Sequence, residues 1–355
     1  MSGSFLQTRA MATIQDRAAG AIMGAMIGDA LGLGCHWYYN LDQLKREYGE
    51  WIDDYTTAKP GRYHYGCKAG DVSQSGQLFQ YLLETLNEKG EYSEEDFCTR
   101  LDGFLATLDG TREGGRYTQK DVCDVWKNRV VLKKPWGECA SPFGDTTDSC
   151  VRAVALAARY HNDLPTLVKK IGSNSILQYQ DRQVQVHSIA FGLTVACLIS
   201  GMEYSKISSH LMNLIAEGKI PFTSAMALDR DSEENTPEPD SLLWSGYAAK
   251  AVANLNLRIE PARDAPQMYG LSCAFYMLMP GAYYLAARFP DNFETAVLTA
   301  VNSGGQNLAR ASLTGGMVGA ITGLSSFPDR FIKGLTDGDK WVEVAKKIAQ
   351  DGAKK

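Results

Sequence analysis

Gly20, Gly24, Gly28 and Gly32 recur every fourth residue through the stretch Ile14 to Leu33. Positions four apart share one face of a helix, so the spacing predicts a helix with a stripe bare of side chains, onto which a neighbour can pack backbone to backbone. Ala18, Ala21, Ile22, Ala25, Met26 and Ala30 fill the turns between the glycines. Such a stripe pairs membrane helices when it sits in an apolar twenty-mer, and Asp16, Arg17 and Asp29 interrupt the run here. The stretch therefore reads as the buried central helix of a globular protein. It ends in Cys35-His36-Trp37-Tyr38-Tyr39-Asn40, an aromatic cluster around one histidine.

A second glycine-rich stretch lies near the other end, from Asn302-Ser303-Gly304-Gly305-Gln306-Asn307 into a small-residue helix through Gly315, Gly316 and Gly319. A Gly-Gly pair opening a helix either lets the backbone approach a ligand beside free N–H groups, or makes a tight turn between two core helices. Further helices are predicted at 41–49, from Leu78 onward, 93–108, 150–160, 185–200, 207–216, 241–256, 271–288, 292–301, 328–335 and 340–349. Asp71 or Ser73 would cap the one that follows Gly70-Asp71-Val72-Ser73-Gln74-Ser75. Residues 110–143 are the least periodic and are expected to form a long surface excursion packed near a site. The acidic, proline-bearing segment 229–240 reads as an exposed loop. Few strands are expected and no repeat of fixed period occurs. The fold class expected is all-α, with residues 1–13 expected to form a disordered extension and 14–350 one helical domain.

Composition narrows the function classes. A net charge of −5 gives no basic footprint for nucleic acid. The longest apolar run, Ile189 to Met202, is too short for a membrane span and fits a buried helix. Eight cysteines without a CxxC pair support neither a zinc ribbon nor a disulfide scaffold, so reduced thiols in a cytoplasmic protein are expected. Met1 to Ala10 lacks the apolar centre of a secretory signal.

The polar motifs are Gly70-Asp71-Val72-Ser73-Gln74-Ser75-Gly76-Gln77-Leu78 and Phe143-Gly144-Asp145-Thr146-Thr147-Asp148-Ser149. Asp145 and Asp148 stand three apart and share a helical face; they could bind a cation or ligand hydroxyls, or cap the helix. Together with Gly28-Asp29-Ala30-Leu31-Gly32 and the late Gly-Gly stretch, these motifs occur in an order that resembles the ADP-ribosylglycohydrolase family over roughly residues 14–345. The resemblance implies a compact orthogonal helical bundle. In active members, it further implies two magnesium ions held by an SDDTQ and a GGDTDT segment, which help remove ADP-ribose from a modified side chain.

At the metal positions the sequence departs from that pattern. Aligning Ser73 and Gln77 with the ends of SDDTQ places Gln74 and Ser75 at its aspartates, and aligning Gly304-Gly305 with the late motif places Gln306 and Leu308 at the other two. His36 stands where many members carry a glutamate; it could move protons or be a hydrogen-bonded core residue. The departures resemble the J-type crystallin branch of the family, found in jellyfish lenses, and imply a pseudoenzyme with a structural or ligand-binding role. No metal and no cofactor are expected. The expected ligand-binding set is Ser73, Gln74, Ser75, Asp145, Thr146, Asp148, Arg152, Gly304, Gly305, Gln306 and Asn307, and Arg152 and Arg310 are either anion partners or members of ordinary structural ion pairs. The ligand class would be ADP-ribose-like, or another small sugar or nucleotide. The alternative is an active hydrolase of N- or O-glycosidic bonds drawing on His36, Asp71, Asp145 and Asp148, with magnesium possible only in that case.

Overall fold

The computed structural model describes residues 12–112, 116–222 and 241–354. The expected exposed loop at 229–240 and most of the expected extension at 1–13 lie outside the described residues. In chain order the helices are α1 (Ile14–Leu33), α2 (Leu41–Tyr48), α3 (Gln74–Lys89), α4 (Glu94–Leu105), α5 (Lys120–Trp126), α6 (Asp148–Tyr160), α7 (Leu164–Ser175) and α8 (Arg182–Ile199). They continue as α9 (Ile207–Ala216), α10 (Trp244–Ala253), α11 (Ala265–Tyr269), α12 (Phe275–Arg288), α13 (Phe293–Asn302), α14 (Asn307–Thr322), α15 (Asp329–Gly334) and α16 (Gly338–Gly352). Among the described residues there is no strand, only the isolated bridges Tyr38 to Gly305 and Ser141 to Tyr179. The fold is all-α, an orthogonal bundle.

The glycine stripe sets the centre of the bundle. A Cβ on Gly20, Gly24, Gly28 or Gly32 would fall inside 3.0 Å of backbone atoms of the α14 region, at Gly319, Gly315, Ala311 and Leu308 in turn. Gly315 and Gly319 answer from α14, because a Cβ on either would meet the carbonyls of Gly24 and Gly20. The two helices thus run face to face with no side chains between them. Every residue of α1 from Ala18 to Leu33 is buried, and so is α14 from Asn307 to Ala320. α6 and α8 complete the core, with α8 buried throughout from Ala190 to Ile199.

Side-chain caps fix where several helices begin. Thr13, Asn40, Ser73, Ser93, Asp163, Asp181 and Asn292 each accept a backbone N–H from the first turn they precede. Of the two candidates before α3, Ser73 is the cap. Asp71 instead accepts from Lys68 N at 2.9 Å and from Thr336 Oγ1 at 2.8 Å, tying its loop to the α15–α16 connection.

The structure differs from expectation in several places. The helix expected from Leu271 starts at Phe275, because Leu271 O accepts Gln306 N and Phe275 N donates to Asp145 O. The helix expected from Ser241 opens with a 3₁₀ turn and becomes α-helical at Trp244. The segment 110–143 carries α5 and a π-helical turn, Lys127–Val131, as well as loop. α7, with its Asp163 cap, was not anticipated. All eight cysteines are free thiols. No helix among the described residues is long and apolar enough to cross a membrane.

Candidate functional site

Four helices begin around one cleft of about 230 Å³. Gln74 and Ser75 open α3, Lys120 and Asp121 open α5, Asp145 and Thr146 precede α6, and Gln306 precedes α14; all line the cleft. Helix N-termini present unpaired N–H groups and the positive end of the helix dipole, so their convergence favours an anionic or strongly polar ligand. Exposed Arg112 and Lys120 stand in the same wall, over the Tyr117 and Phe143 rings at 4.9 and 5.8 Å.

The end of α1 meets the start of α14 across the Tyr38–Gly305 bridge, where Trp37 N donates to Gly305 O at 3.2 Å and Gly305 N to Tyr38 O at 2.8 Å. Gly304 and Gly305 both lie in the left-handed region, at φ 71° and 61°, and Cβ atoms there would strike Tyr38 and Leu271. Buried Arg310 donates to Gly304 O and to Ala300 O, capping the C-terminal end of α13. Burial away from water lowers its pKa to about 9. Arg310 is thus occupied with carbonyl groups and serves to hold the turn. Trp37 is itself left-handed, at φ 64°, which costs a non-glycine residue roughly 1–2 kcal/mol. That conformation lays its indole against His36, Tyr63 and Tyr117 and lets Nε1 donate to Gln306 Oε1.

His36 is buried and hydrogen-bonded, as the core reading has it, and it also lines the cleft. Asn307 donates its amide to Cys35 O at 3.2 Å and Val301 O at 3.4 Å, so its Oδ1 faces His36 Nδ1 at 2.9 Å. Nδ1 therefore carries the imidazole proton and Nε2 is bare. Burial drives the His36 pKa well below 6.5, with His64 beside it adding to the shift.

The positions aligned with the metal-binding aspartates gather on this cleft: Gln74, Ser75, Gln306 and Leu308 all line it. Gln74 donates to Thr118 Oγ1 at 3.1 Å and accepts Gln119 N at 3.2 Å. Ser75 Oγ donates to Asp148 Oδ1 at 2.7 Å and accepts Gln119 Nε2 at 2.7 Å. Leu308 packs against Gly32. Among the described residues no three His, Cys, Asp or Glu side chains converge to hold a metal ion. The residues present do not fit a dimagnesium centre.

The other candidates divide between wall and support. Asp145 and Thr146 line the cleft, and Thr146 Oγ1 lies 2.6 Å from Tyr179 Oη. Asp148 sits behind Ser75 and does not cap its helix, since its oxygens accept from Ser75, Gln119 and Gln178. Ser73 lines the cleft while its N and Oγ donate to buried Asp29 at 2.7 and 2.6 Å. Asn307, Gly304 and Gly305 form the layer beneath. Asp71 and Arg152 are not on the cleft. Arg152 lies behind it, donating to Asn174 Oδ1 and Gln178 Oε1 at 2.7 Å beside a small apolar cavity.

Sequence reasoning missed Asp121, Gln119, Tyr117 and His64, all of which line the cleft. Asp121 is 2% exposed, and burial followed by the nearby Asp148 charge raises its pKa to about 6. Its signal was faint: Thr118-Gln119-Lys120-Asp121 ahead of Val122 and Val125 is a polar helix start inside a stretch that looked irregular.

The ADP-ribosylglycohydrolase family model matches residues 10–355. The chain belongs to the ADP-ribosylglycohydrolase family. It is similar to a protein of Archaeoglobus fulgidus described as uncharacterized, at 23% identity over 344 residues, covering 94% of this chain and 96% of that one. It is also similar to Crystallin J1A of Tripedalia cystophora, at 22% identity over 353 residues, covering 95% and 97%. Among solved structures, an ADP-ribosylglycohydrolase-related protein complex shares the fold with TM-score 0.66 at 17% identity, covering 96% of this chain and 99% of that one.

Proposed function

We propose that this member of the family binds a small anionic sugar or nucleotide of the ADP-ribose kind in its cleft without a dimagnesium centre, and that its hydrolase activity is absent or altered. The observation that carries the reading is the set Gln74, Ser75, Gln306 and Leu308 on the cleft wall. Neutral side chains stand at all four expected carboxylate positions, and the polar three are hydrogen-bonded within the protein. Four helix starts and two cations remain to attract a phosphate-bearing ligand. A crystallin among the relatives is in keeping with a cytoplasmic structural or ligand-binding role.

Calorimetric titration with ADP-ribose in EDTA and then in magnesium tests this. The expected dissociation constants agree within about twofold, and melting temperature does not respond to either addition, because a metal that binds the native state must stabilise it. A metal-linked rise of several degrees, or no binding of ADP-ribose at all, overturns the reading. A second reading, a metal-independent hydrolase, is favoured by the raised carboxyl of Asp121 beside Asp148. Release of ADP-ribose from an ADP-ribosylated protein in the presence of EDTA would select it.

A further inference from the structure

His36 and Asn307 fix each other's hydrogens. Asn307 is fully buried, and its Nδ2 donates to Cys35 O and Cys35 Sγ at 3.2 Å and to Val301 O at 3.4 Å. A flipped amide would set Oδ1 against two carbonyl oxygens, so Oδ1 stays turned to His36 Nδ1, 2.9 Å away. Nδ1 is then the donor, and the second ring nitrogen, Nε2, keeps a free lone pair. The ring is also held in place. Trp37 stacks on it with centroids 4.9 Å apart, His64 lies against it at 5.4 Å, and the Trp37 indole is itself tied to Gln306 Oε1.

Nδ1 points to Asn307 in the layer beneath the cleft, so the opposite edge of the ring, with Nε2, is the edge that lines the cleft. Among the described residues the ring's only hydrogen bond is the one through Nδ1. A lone pair facing a cleft accepts the hydrogen of a hydroxyl and repels the oxygens of an ionised phosphate, which have no hydrogen to give. His36 is 6% exposed, whereas Arg112 and Lys120 stand exposed on the same cleft. The cleft thus sorts a ligand by depth, with charge favoured at the rim and a hydroxyl at the floor.

We propose that His36, locked by Asn307 as a hydrogen-bond acceptor at Nε2, selects a ligand that brings a sugar hydroxyl to the floor of the cleft and rejects one that brings a phosphate there. Burial away from water supports the same state, since it favours the neutral ring over the imidazolium, which is a donor at both nitrogens. Asn307 is a positioning residue: it acts on the ligand through the imidazole. This rests on the reading of the cleft as a sugar or nucleotide site, and goes further in naming the group that is read and the atom that reads it.

The test is nitrogen NMR of the full chain with isotope-labelled histidine, His36→Gln identifying the His36 signals, while ADP-ribose and free ribose are titrated separately. The free protein is expected to show a protonated Nδ1 and a bare Nε2. Either sugar should move the Nε2 signal toward the protonated range and leave Nδ1 in place. Asn307→Leu should spread the proton over both nitrogens, which a loss of packing alone would not do; if that variant does not fold, the wild-type spectrum still reports the tautomer. By calorimetry, His36→Phe should weaken ADP-ribose binding by about fivefold to tenfold, the worth of one hydrogen bond, and His36→Gln, whose carbonyl can stand in for Nε2, should recover most of it. A protonated Nε2 in the free protein overturns the proposal, and so does an Nε2 signal that neither sugar moves. ADP-ribose that binds without moving Nε2 sinks the proposal and leaves the nucleotide reading standing. Ribose that moves Nε2 where ADP-ribose does not bind does the reverse.

Discussion

An alanine at Gly24 drives a methyl group into the backbone of α14. The new Cβ would lie inside 3.0 Å of the Gly315 carbonyl, with the edge of the Phe293 ring at 3.0 Å on its other side. No rotamer change relieves contact with a carbonyl, so α1 and α14 must part. Overpacking of a well-filled core costs roughly 1–3 kcal/mol, and alanine returns up to about 1 kcal/mol over glycine in a helix. Because the obstacle is backbone and Gly315 is locked against Gly24 in return, the upper range of the cost applies. The expected net destabilisation is about 2 kcal/mol. Gly103, exposed in α4 with nothing within 4 Å of its would-be Cβ, is the control. There the same substitution should stabilise by about 0.5–1 kcal/mol. Urea denaturation of the full chain, with the slope unchanged, reads both numbers. Gly24→Ala within about 0.5 kcal/mol of wild type, or equal losses at both positions, would refute backbone-to-backbone packing as the organising contact.

Two further outcomes follow from groups around the cleft. Arg152→Met strands the buried Asn174 and Gln178 carbonyls and frees the amide that serves Asp121 and Asp148, so urea denaturation should show a loss of about 2–4 kcal/mol. Asp29 holds its proton more tightly when folded, because burial raises its pKa to about 6, so it supports the native state at low pH and loses that support as pH rises through 6. Asp29→Asn, which cannot ionise, should therefore gain on wild type by on the order of 2–3 kcal/mol between about pH 4 and pH 7, whereas a difference constant with pH would exclude the linkage.

The central packing was legible because it depends on period and size alone. Four glycines at a spacing of four predict a bare face, and the small residues of the second stretch supply its match. The caps were legible for a similar reason: Ser73 and Ser93 sit next to the N–H groups they satisfy, so sequence distance and spatial distance coincide. What was missed is what long-range packing creates. Asp121 looks like an ordinary helix-start acid until Gln178, 57 positions away, is brought to it by the Ser141–Tyr179 bridge. Arg152 misled for the opposite reason. A lone arginine one turn after an acidic motif reads as an anion partner, yet its guanidinium is spent on two side-chain amides behind the wall.

The four substitutions at the expected metal positions do more than delete ligands. Each helix N-terminus carries about half a positive charge, so the starts of α3, α5, α6 and α14 together bring roughly two positive charges to the cleft. In an active member of the implied pattern, four carboxylates would outweigh them and leave room for dications. Here Gln74, Ser75, Gln306 and Leu308 add no charge, Asp148 accepts three side-chain hydrogen bonds, and burial with the nearby Asp148 charge raises the Asp121 carboxyl to about 6. Arg112 and Lys120 stand at the wall as well. With Asp121 and Asp145 as the acids left on the wall, the helix starts and the two exposed cations weigh more heavily in the charge balance of the cleft. Restoring a single aspartate, as in Ser75→Asp, is expected to leave the melting temperature unchanged by magnesium, as thermal denaturation with and without the metal would show. The new carboxylate would face Asp148 across the short distance that Ser75 Oγ now bridges at 2.7 Å, and the like charges would raise each other's pKa.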